Sequence, residues 1–159
     1  MNEPTGTIHQ AGDELLQLVS FQIGGEEFGV DILKVQEINR TVEVTRVPNV
    51  PPFVEGVINL RGKVIPVVSL RARFGMERKE HDKDTRIVVV ELRGMTVGFI
   101  VDAVNEVLRI SRSVTEPPPA LTASGSAEYI TGVGKLGDRL LILLDLEKVV
   151  GVEEVEVIE

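Results

Sequence analysis

Three aspartates stand at the ends of apolar runs, where a carboxylate could act as a general acid or base. Asp31 follows FGV, Asp102 follows FIV and Asp145 follows ILL. Catalysis by a pair such as Asp31 and Asp102 would need a pocket that moves their two pKa values apart, and a further catalytic partner. The sequence around them offers no such partner, and aspartate side chains readily cap turns by accepting backbone N–H groups. We interpret the three aspartates as turn caps.

Other patterns for catalysis, metal binding or cofactor binding are missing from the sequence. Of the two histidines, His9 stands in a polar N-terminal stretch and His81 in the charged run ERKEHDKD, and neither has a patterned carboxylate or hydroxyl nearby. There is no cysteine, no histidine pair at metal-binding spacing, no glycine-rich phosphate loop and no Gly-x-Ser-x-Gly motif. The sequence therefore predicts no catalytic residue, no metal site and no cofactor.

Two opposite charges stand in unusually apolar surroundings. Glu37 lies in the run Val35-Gln-Glu-Ile38, and Arg61 lies at the tip of the predicted hairpin VINLRGKVIPVVSL. They could be two unrelated exposed charges, which contribute little to stability. They could also form an ion pair between two elements, which would shape the surface around Ile32, Val35 and Ile38.

An internal repeat supplies the elements that position these residues. Residues 18–38 match residues 87–107 at a shift of 69, with Gly-x-x-x-Gly in both copies, and residues 53–70 match residues 129–146 at a shift of 76. Each copy contains about five short strands separated by glycine and proline, which favours small β-barrels over an α/β sheet. The repeat, bounded as 18–70 and 87–146, predicts two similar β units in one chain.

The two copies differ at the position of the charged pair. Glu106 matches Glu37, but Gly137 stands where the second copy would need an arginine. We therefore expect only the first copy to make this pair.

Composition narrows the class of partner. The 159-residue chain has a net charge of −8, and its aromatic residues are one tyrosine and five phenylalanines. An oligonucleotide-binding barrel would need a basic face with aromatic side chains for stacking, so we expect no nucleic-acid binding. The longest apolar runs, such as LLILL, are too short to span a bilayer, which predicts no membrane insertion.

The two ends of the chain differ from its middle in composition, since they lack its long apolar runs. Residues 1–14 are polar and lack apolar periodicity, which predicts a disordered N-terminal tail. Residues 151–159 form an acidic segment with alternating valines, which could be a short terminal strand or a frayed tail. Between them, we expect one domain over residues 15–150.

Three segments carry a resemblance to a known family. EEFGVDILKVQEI, GVINLRGKVIPVVSL and EYITGVGKLGDRLLILLDLEKVV closely resemble the CheW family of chemotaxis coupling proteins, and the resemblance covers residues 15–150. The same motifs are found in the regulatory domain of the family's partner kinase. Because this sequence shows no kinase core, phosphotransfer domain or receiver domain, the resemblance points to the stand-alone adaptor.

The resemblance implies an all-β fold. It consists of two five-stranded, SH3-like β-barrel subdomains around a shared aliphatic core, with short helical turns, and the subdomains can be interleaved so that each draws strands from both halves of the chain. How the repeat halves are distributed between the barrels is left open.

The implied function is that of a non-catalytic adaptor in bacterial chemotaxis. It would couple the cytoplasmic tip of transmembrane chemoreceptors to the histidine kinase CheA through the regulatory domain of the kinase. The protein would be cytoplasmic and recruited to membrane-associated receptor arrays. An alternative is a paralogous scaffold of another chemosensory pathway, such as twitching motility or development.

The resemblance also implies a receptor-facing groove, in which Glu37 and Arg61 form a structural ion pair. The residues carried over by position are Ile32, Val35, Glu37, Ile38, Gly56, Arg61 and Val107. The kinase-contacting residues are not assigned.

Overall fold

The computed structural model describes residues 14–118 and 128–151, which form two β-sheets with a few short helical turns. The strands are β1 Leu15–Ile23, β2 Glu26–Asp31, β3 Val35–Arg40, β4 Val54–Leu60, β5 Lys63–Ser69, β6 Arg86–Leu92, β7 Met95–Val101, β8 Ala103–Ser111, β9 Thr115–Glu116, β10 Ile130–Leu136 and β11 Arg139–Leu144. The helices are α1 Leu70–Arg73 and α2 Leu146–Val150, and 3₁₀ turns cover Ile32–Lys34 and Arg112–Val114.

The two sheets exchange strands between the repeats. The five-stranded sheet has the order β3-β6-β7-β5-β4, and the six-stranded sheet has the order β9-β10-β11-β2-β1-β8. Each sheet therefore combines the first hairpin of one repeat with the third strand and last hairpin of the other. The exchanged elements meet in parallel pairs, β5 with β7 and β2 with β11. The interleaved arrangement that the resemblance implied is confirmed, and the distribution of the repeat halves is settled.

Each sheet closes on itself in the same way. The chain beyond β3 returns to the opposite edge strand, where Thr45 and Val57 exchange two backbone hydrogen bonds of 2.8 Å. In the other sheet, the chain beyond β8 continues into β9, which pairs with β10 through Glu116 and Val133. The extra two-residue strand β9 is the difference between the observed six strands and the expected five.

Within the described residues, apolar side chains form three clusters. The shared core is built from one face of both sheets and includes Phe21, Phe99 and Val88, with the rings of Phe21 and Phe99 5.5 Å apart. The interior of each barrel holds a smaller cluster of its own, one around Ile65 and the other around Leu141. The predicted aliphatic shared core is confirmed, although phenylalanines occupy part of it.

The hairpin turn that contains Arg61 is confirmed. Arg61 and Gly62 both have positive φ, 52° and 86°, which is the backbone of a type I′ turn and matches the twist of the flanking strands. The turn is closed further by the N–H of Gly62, which donates to the side-chain oxygen of Asn59 at 2.9 Å.

Two of the three aspartates are the caps that the sequence predicted. Asp31 accepts from the N–H of Leu33 at 2.9 Å, and Asp145 accepts from the N–H of Lys148 at 3.2 Å at the start of α2. Asp102 behaves differently, because its main partner is the guanidinium group of Arg71. No helix among the described residues is long and apolar enough to cross a bilayer. The predicted tails, apart from Glu14 and Gly151, lie outside the described residues.

Candidate partner-binding surface

The structure brings Glu37 and Arg61 together in a two-pronged ion pair. Arg61 Nη1 donates to Glu37 Oε1 at 3.1 Å, and Arg61 Nη2 donates to Glu37 Oε2. Glu37 belongs to edge strand β3, and Arg61 lies at the tip of the β4–β5 hairpin, so the pair links the two opposite edges of the five-stranded sheet. The two parallel hydrogen bonds fix the relative orientation of the two groups more strictly than a single contact would.

The ion pair shifts the titration of both partners. Hydrogen bonding from Arg61 is the main cause that lowers the pKa of the Glu37 carboxyl, and Asn39 contributes in the same direction. The same contact raises the pKa of the Arg61 guanidinium. The Arg61 side chain remains 70% exposed while that of Glu37 is 25% exposed, so part of the guanidinium is open to a further contact.

Three apolar residues lie close to Glu37 in the sequence, Ile32 in the 3₁₀ turn and Val35 and Ile38 on β3. Ile32 and Val35 are half-buried against the shared core, and Ile38 is 38% exposed. A β-bulge between Val35 and Glu37 shifts the pairing of β3 with β6, so that Glu37 lies opposite Val89. Such bulges redirect side chains at a sheet edge, and here the bulge lies between the half-buried Val35 and the carboxylate that pairs with Arg61.

Gly56 has a backbone role beside this surface. It is buried, has φ of +152°, and an added Cβ would lie 2.2 Å from the carbonyl oxygen of Thr45. Gly132 occupies the matching place in the other barrel, where a Cβ would lie 2.9 Å from the carbonyl oxygen of Glu116. Both glycines allow the closing strand to approach, so Gly56 supports the shape of the surface rather than contributing a side chain to it.

Val107 lies on the other sheet. It is 59% exposed on β8 and is paired with Val19 of β1. By the repeat, Val107 is the counterpart of Ile38, and both are exposed aliphatic residues on edge strands. The structure places Ile32 in the 3₁₀ turn and Val35, Glu37 and Ile38 on β3, and it joins Arg61 to Glu37. It places Val107 at the equivalent point of the second barrel.

A second charged cluster was missed by the sequence reasoning. Arg139 donates to Glu27 Oε2 at 2.6 Å and to Glu106 Oε2 at 3.1 Å. Glu106 thus has an arginine partner, which stands two residues after Gly137, the counterpart of Arg61. Partial burial of Glu27 acts to raise its pKa, but hydrogen bonds from Arg139 and Asn105 outweigh burial and lower it. In each barrel, an arginine near a hairpin tip therefore binds the glutamate of an edge strand, Glu37 in one and Glu106 in the other. The two arginines, Arg61 and Arg139, do not occupy matching positions of the repeat.

Asp102 and Arg71 form a half-buried ion pair that also involves the β1–β2 turn. Arg71 donates from Nε to Oδ1 at 3.0 Å and from Nη2 to Oδ2 at 2.7 Å, while the N–H of Gly24 donates to Oδ2 at 2.8 Å. Asp31 and Asp102 have separate partners and do not form the paired carboxylates that acid–base catalysis would need. His81 is exposed, and His9 lies outside the described residues.

A family comparison decides what kind of protein carries this surface. A family model described as CheW-like domain matches residues 17–154. The chain belongs to the CheW family. It is 40% identical over 143 residues to the chemotaxis protein CheW of Klebsiella aerogenes, which is 90% of this chain and 86% of that protein. It is 34% identical to the chemotaxis protein CheW of Bacillus subtilis over 86% of this chain and 88% of that protein.

A solved structure supports the same assignment. The chain is similar to the scaffolding protein TtCheW from Thermoanaerobacter tengcongensis, with a TM-score of 0.78 and 40% sequence identity. The match covers 86% of this chain and 92% of that chain. The CheW fold therefore extends over nearly the whole described part of the chain, and the predicted all-β fold with two barrel-like sheets is confirmed.

Proposed function

We propose that this CheW-family chain is a non-catalytic adaptor that couples transmembrane chemoreceptors to the histidine kinase CheA in bacterial chemotaxis. Its relatives are named as chemotaxis proteins, and the similar solved structure is named as a scaffolding protein. The observation that carries the proposal is the two-pronged bridge between Glu37 and Arg61 beside the exposed side chain of Ile38.

The receptor tip would bind by laying apolar residues of a helix on the surface made by Ile32, Val35, Ile38 and Arg61, which we call the β3 surface. Ile32, Val35 and Ile38 would supply the apolar contact, as in other helix-in-groove interfaces. The ion pair would hold the β4–β5 tip against β3, and the exposed part of the Arg61 guanidinium could donate to the receptor. Charged groups at such a rim set orientation and specificity more than bulk affinity.

The other two predicted site residues, Gly56 and Val107, would support receptor binding in different ways. Gly56 allows the barrel to close behind the surface, because its backbone touches Thr45. Val107 would extend the receptor contact from the second barrel. The second partner would be the regulatory domain of the kinase, and binding of both partners would recruit a cytoplasmic protein to receptor arrays. Residues 15–150 would form the adaptor unit.

The test is calorimetric titration of the purified protein against two partners separately. One partner is a receptor cytoplasmic-tip fragment, and the other is the regulatory domain of the CheA encoded in the same genome. We expect the protein to bind both partners. We expect Arg61→Ala to lower the affinity for the receptor tip and to leave the affinity for the kinase regulatory domain unchanged. Arg112→Ala is the matched control, because it also breaks an exposed arginine–glutamate pair, with Glu14 at 2.9 Å, but lies in the other barrel.

Two outcomes would contradict the proposal. If Arg61→Ala binds the receptor tip as tightly as the original protein, the β3 surface is not the receptor site. If the folded protein binds neither partner, chemotaxis coupling itself is wrong for this chain, and the kinase of a paralogous pathway becomes the partner to test.

A further inference from the structure

The turn that carries Arg61 is held by a side-chain hydrogen bond in addition to its strand pairing. Asn59 is exposed on β4, and its Oδ1 accepts from the N–H of Gly62 at 2.9 Å. Because Gly62 follows Arg61, this bond holds the peptide unit on the C-terminal side of the Arg61 Cα. The pairing of Leu60 with Lys63 closes the turn on the strand side. The backbone is thus held on both sides of Arg61, which fixes the direction of its Cα–Cβ bond.

A second turn with the same backbone shows that the turn type does not require this bond. Arg93 and Gly94, between β6 and β7, have φ of 53° and 76°, against 52° and 86° at the β4–β5 tip. Glu91 stands there at the position that Asn59 holds in the β4–β5 hairpin, and its Oε1 accepts from Gln36 Nε2 at 3.3 Å. An Arg-Gly turn of this kind therefore forms without an asparagine at this position.

The matching hairpin of the second repeat has neither the asparagine nor an arginine in its turn. At the shift of 76, Lys135 stands at the position of Asn59. Gly137 stands at the position of Arg61. Lys135 makes a different contact, an ion pair with Glu116 at 2.7 Å. Between these two hairpins, the asparagine therefore occurs together with the turn arginine.

The Arg61 side chain has little else to restrict its direction. It is 70% exposed, so packing does not hold this long side chain in one conformation. Its two bonds to Glu37 join the hairpin tip to the edge strand β3, and both guanidinium nitrogens must be in place at once. A small rotation of the turn displaces the far end of the side chain by much more than its Cβ. The backbone that Asn59 holds therefore decides how often the bridge is formed.

We propose that Asn59 is a positioning residue of the β3 surface, which holds the turn so that the Arg61 guanidinium is bridged to Glu37 before a partner binds. A bridge that is already formed lowers the ordering cost of binding, and this raises affinity without a new contact. The effect on receptor affinity rests on the proposed function, whereas the positioning of Arg61 by Asn59 does not.

The test compares Asn59→Ala with Asn59→Ser in the full chain. Alanine removes the acceptor, whereas a serine hydroxyl still accepts a local backbone N–H, more weakly than asparagine does. Neither substitution changes the charge near Glu37. Hydrogen exchange of the Gly62 amide reports on the bond itself. Carbon-detected NMR titration of the Glu37 carboxyl reports on the bridge, because the hydrogen bonds from Arg61 lower its pKa.

We expect a graded response in the order asparagine, serine, alanine. In Asn59→Ala the Gly62 amide should exchange faster, and the pKa of Glu37 should rise towards 4.5. Affinity for the receptor cytoplasmic-tip fragment, measured by calorimetric titration, should fall by roughly two- to tenfold, as for the loss of one hydrogen bond. Asn59→Ser should lie between the original protein and Asn59→Ala in all three measurements. The melting temperature should stay close to the original value, because Asn59 is exposed.

Asn105→Ala is the matched control for the two NMR measurements. It also removes an exposed asparagine that hydrogen-bonds within the chain, since Asn105 Nδ2 donates to Glu27 Oε2 at 3.0 Å, but it lies on the other sheet. This variant should leave both the exchange of the Gly62 amide and the pKa of Glu37 unchanged.

Two results would overturn the proposal. The first is a Glu37 pKa that Asn59→Ala leaves at its original value, which would show that the bridge forms without the asparagine. The second is a raised pKa with unchanged receptor affinity in Asn59→Ala, when Arg61→Ala does weaken binding. If Arg61→Ala itself binds the receptor tip as tightly as the original protein, the proposed receptor site is wrong. The pKa comparison then still decides whether Asn59 positions Arg61.

Discussion

Arg61 and Gly137 occupy the same position in the hairpin turns of the two repeats, and both have a left-handed backbone, with φ of 52° and 62°. This conformation is costly for a residue with a Cβ and nearly free for glycine. The β4–β5 turn thus has an arginine at the position where the matching β10–β11 turn has glycine, which suits this backbone conformation better. Backbone strain of this kind persists where the side chain is needed, and here the side chain bridges to Glu37.

Replacement of Arg61 by glycine should separate stability from binding. Arg61→Gly relieves the left-handed strain and removes an exposed ion pair that contributes little to stability. We expect the melting temperature to stay equal or to rise, while affinity for the receptor tip falls by about tenfold or more, as for an arginine anchor at an interface. Thermal melting by circular dichroism and calorimetric titration measure the two effects. A parallel loss of both would show that Arg61 acts through folding.

The Glu37 carboxyl should titrate below its usual value of 4.5, chiefly because Arg61 donates to its ionised form. A carboxyl with a lowered folded-state pKa stabilises the fold above its unfolded pKa, and this contribution is lost as pH falls through the folded value. The bridge should therefore be intact at neutral pH and open only in acid, below pH 4.5. Carbon-detected NMR titration measures the pKa directly. Arg61→Ala should return it towards the usual value, and an unchanged pKa would contradict the bridge in solution.

The repeat could be predicted from the sequence, but the exchange of strands could not. Glycine spacing and apolar periodicity are local, so the matched copies 18–38 and 87–107 were visible in the sequence. Strand partners depend on backbone hydrogen bonds between distant segments, and the valine-rich β6 satisfies the apolar pattern of either barrel. The pairing of β3 with β6, instead of with β1 of its own repeat, is decided by which arrangement buries the shared core.

The charged residues of the two barrels were predictable to different degrees. Glu37 and Arg61 could be singled out because two opposite charges stood in apolar runs, and the family resemblance brought them together. The contact of Arg139 with Glu106 was missed because Gly137 fills the aligned position. An arginine two residues along the same hairpin reaches the same place in space, which only the three-dimensional arrangement shows. The sequence also gave no sign that Asp102 pairs with Arg71.

Removal of the Asp102 carboxylate should destabilise the fold. In Asp102→Ala the guanidinium of Arg71, whose side chain is 21% exposed, loses both of its carboxylate bonds, and the N–H of Gly24 loses its acceptor. We expect the free energy of unfolding to fall by about 2 kcal/mol, since partly buried donors are left unpaired. Urea unfolding measures the change, and Asp84→Ala is the control because Asp84 is exposed. Equal stability of the two variants would contradict a structural role for the pair.

The Asp102 pair should also respond to acid. Partial burial acts to raise the pKa of Asp102, but hydrogen bonds from Arg71 and Gly24 outweigh burial and lower it below 3.8. The stability that the pair contributes is therefore present at neutral pH and is lost as pH falls through the lowered folded-state value. The difference in unfolding free energy between the original protein and Asp102→Ala should shrink when urea unfolding is repeated below pH 3.8. A difference that grows in acid would contradict this assignment.

Gly56→Ala should damage the barrel closure behind the β3 surface. An alanine Cβ would lie 2.2 Å from the carbonyl oxygen of Thr45, and the backbone φ of +152° is itself unfavourable for alanine. Because the obstructing atom belongs to the backbone, the strand must move away and break the two hydrogen bonds between Thr45 and Val57. We expect a loss of about 2–3 kcal/mol in the free energy of unfolding, typical of strain at a special backbone position.

Gly25→Ala is the matched control for this prediction, since nothing lies within 4 Å of its added Cβ. Urea unfolding of both variants gives the comparison, and hydrogen exchange of the Thr45 and Val57 amides reports on the closure itself. We expect both amides to exchange faster in Gly56→Ala and to keep their original rates in Gly25→Ala. If Gly56→Ala is as stable as the control, the close approach at Thr45 does not hold the barrel closed. Any loss of receptor binding in that variant would then come from a direct contact at residue 56.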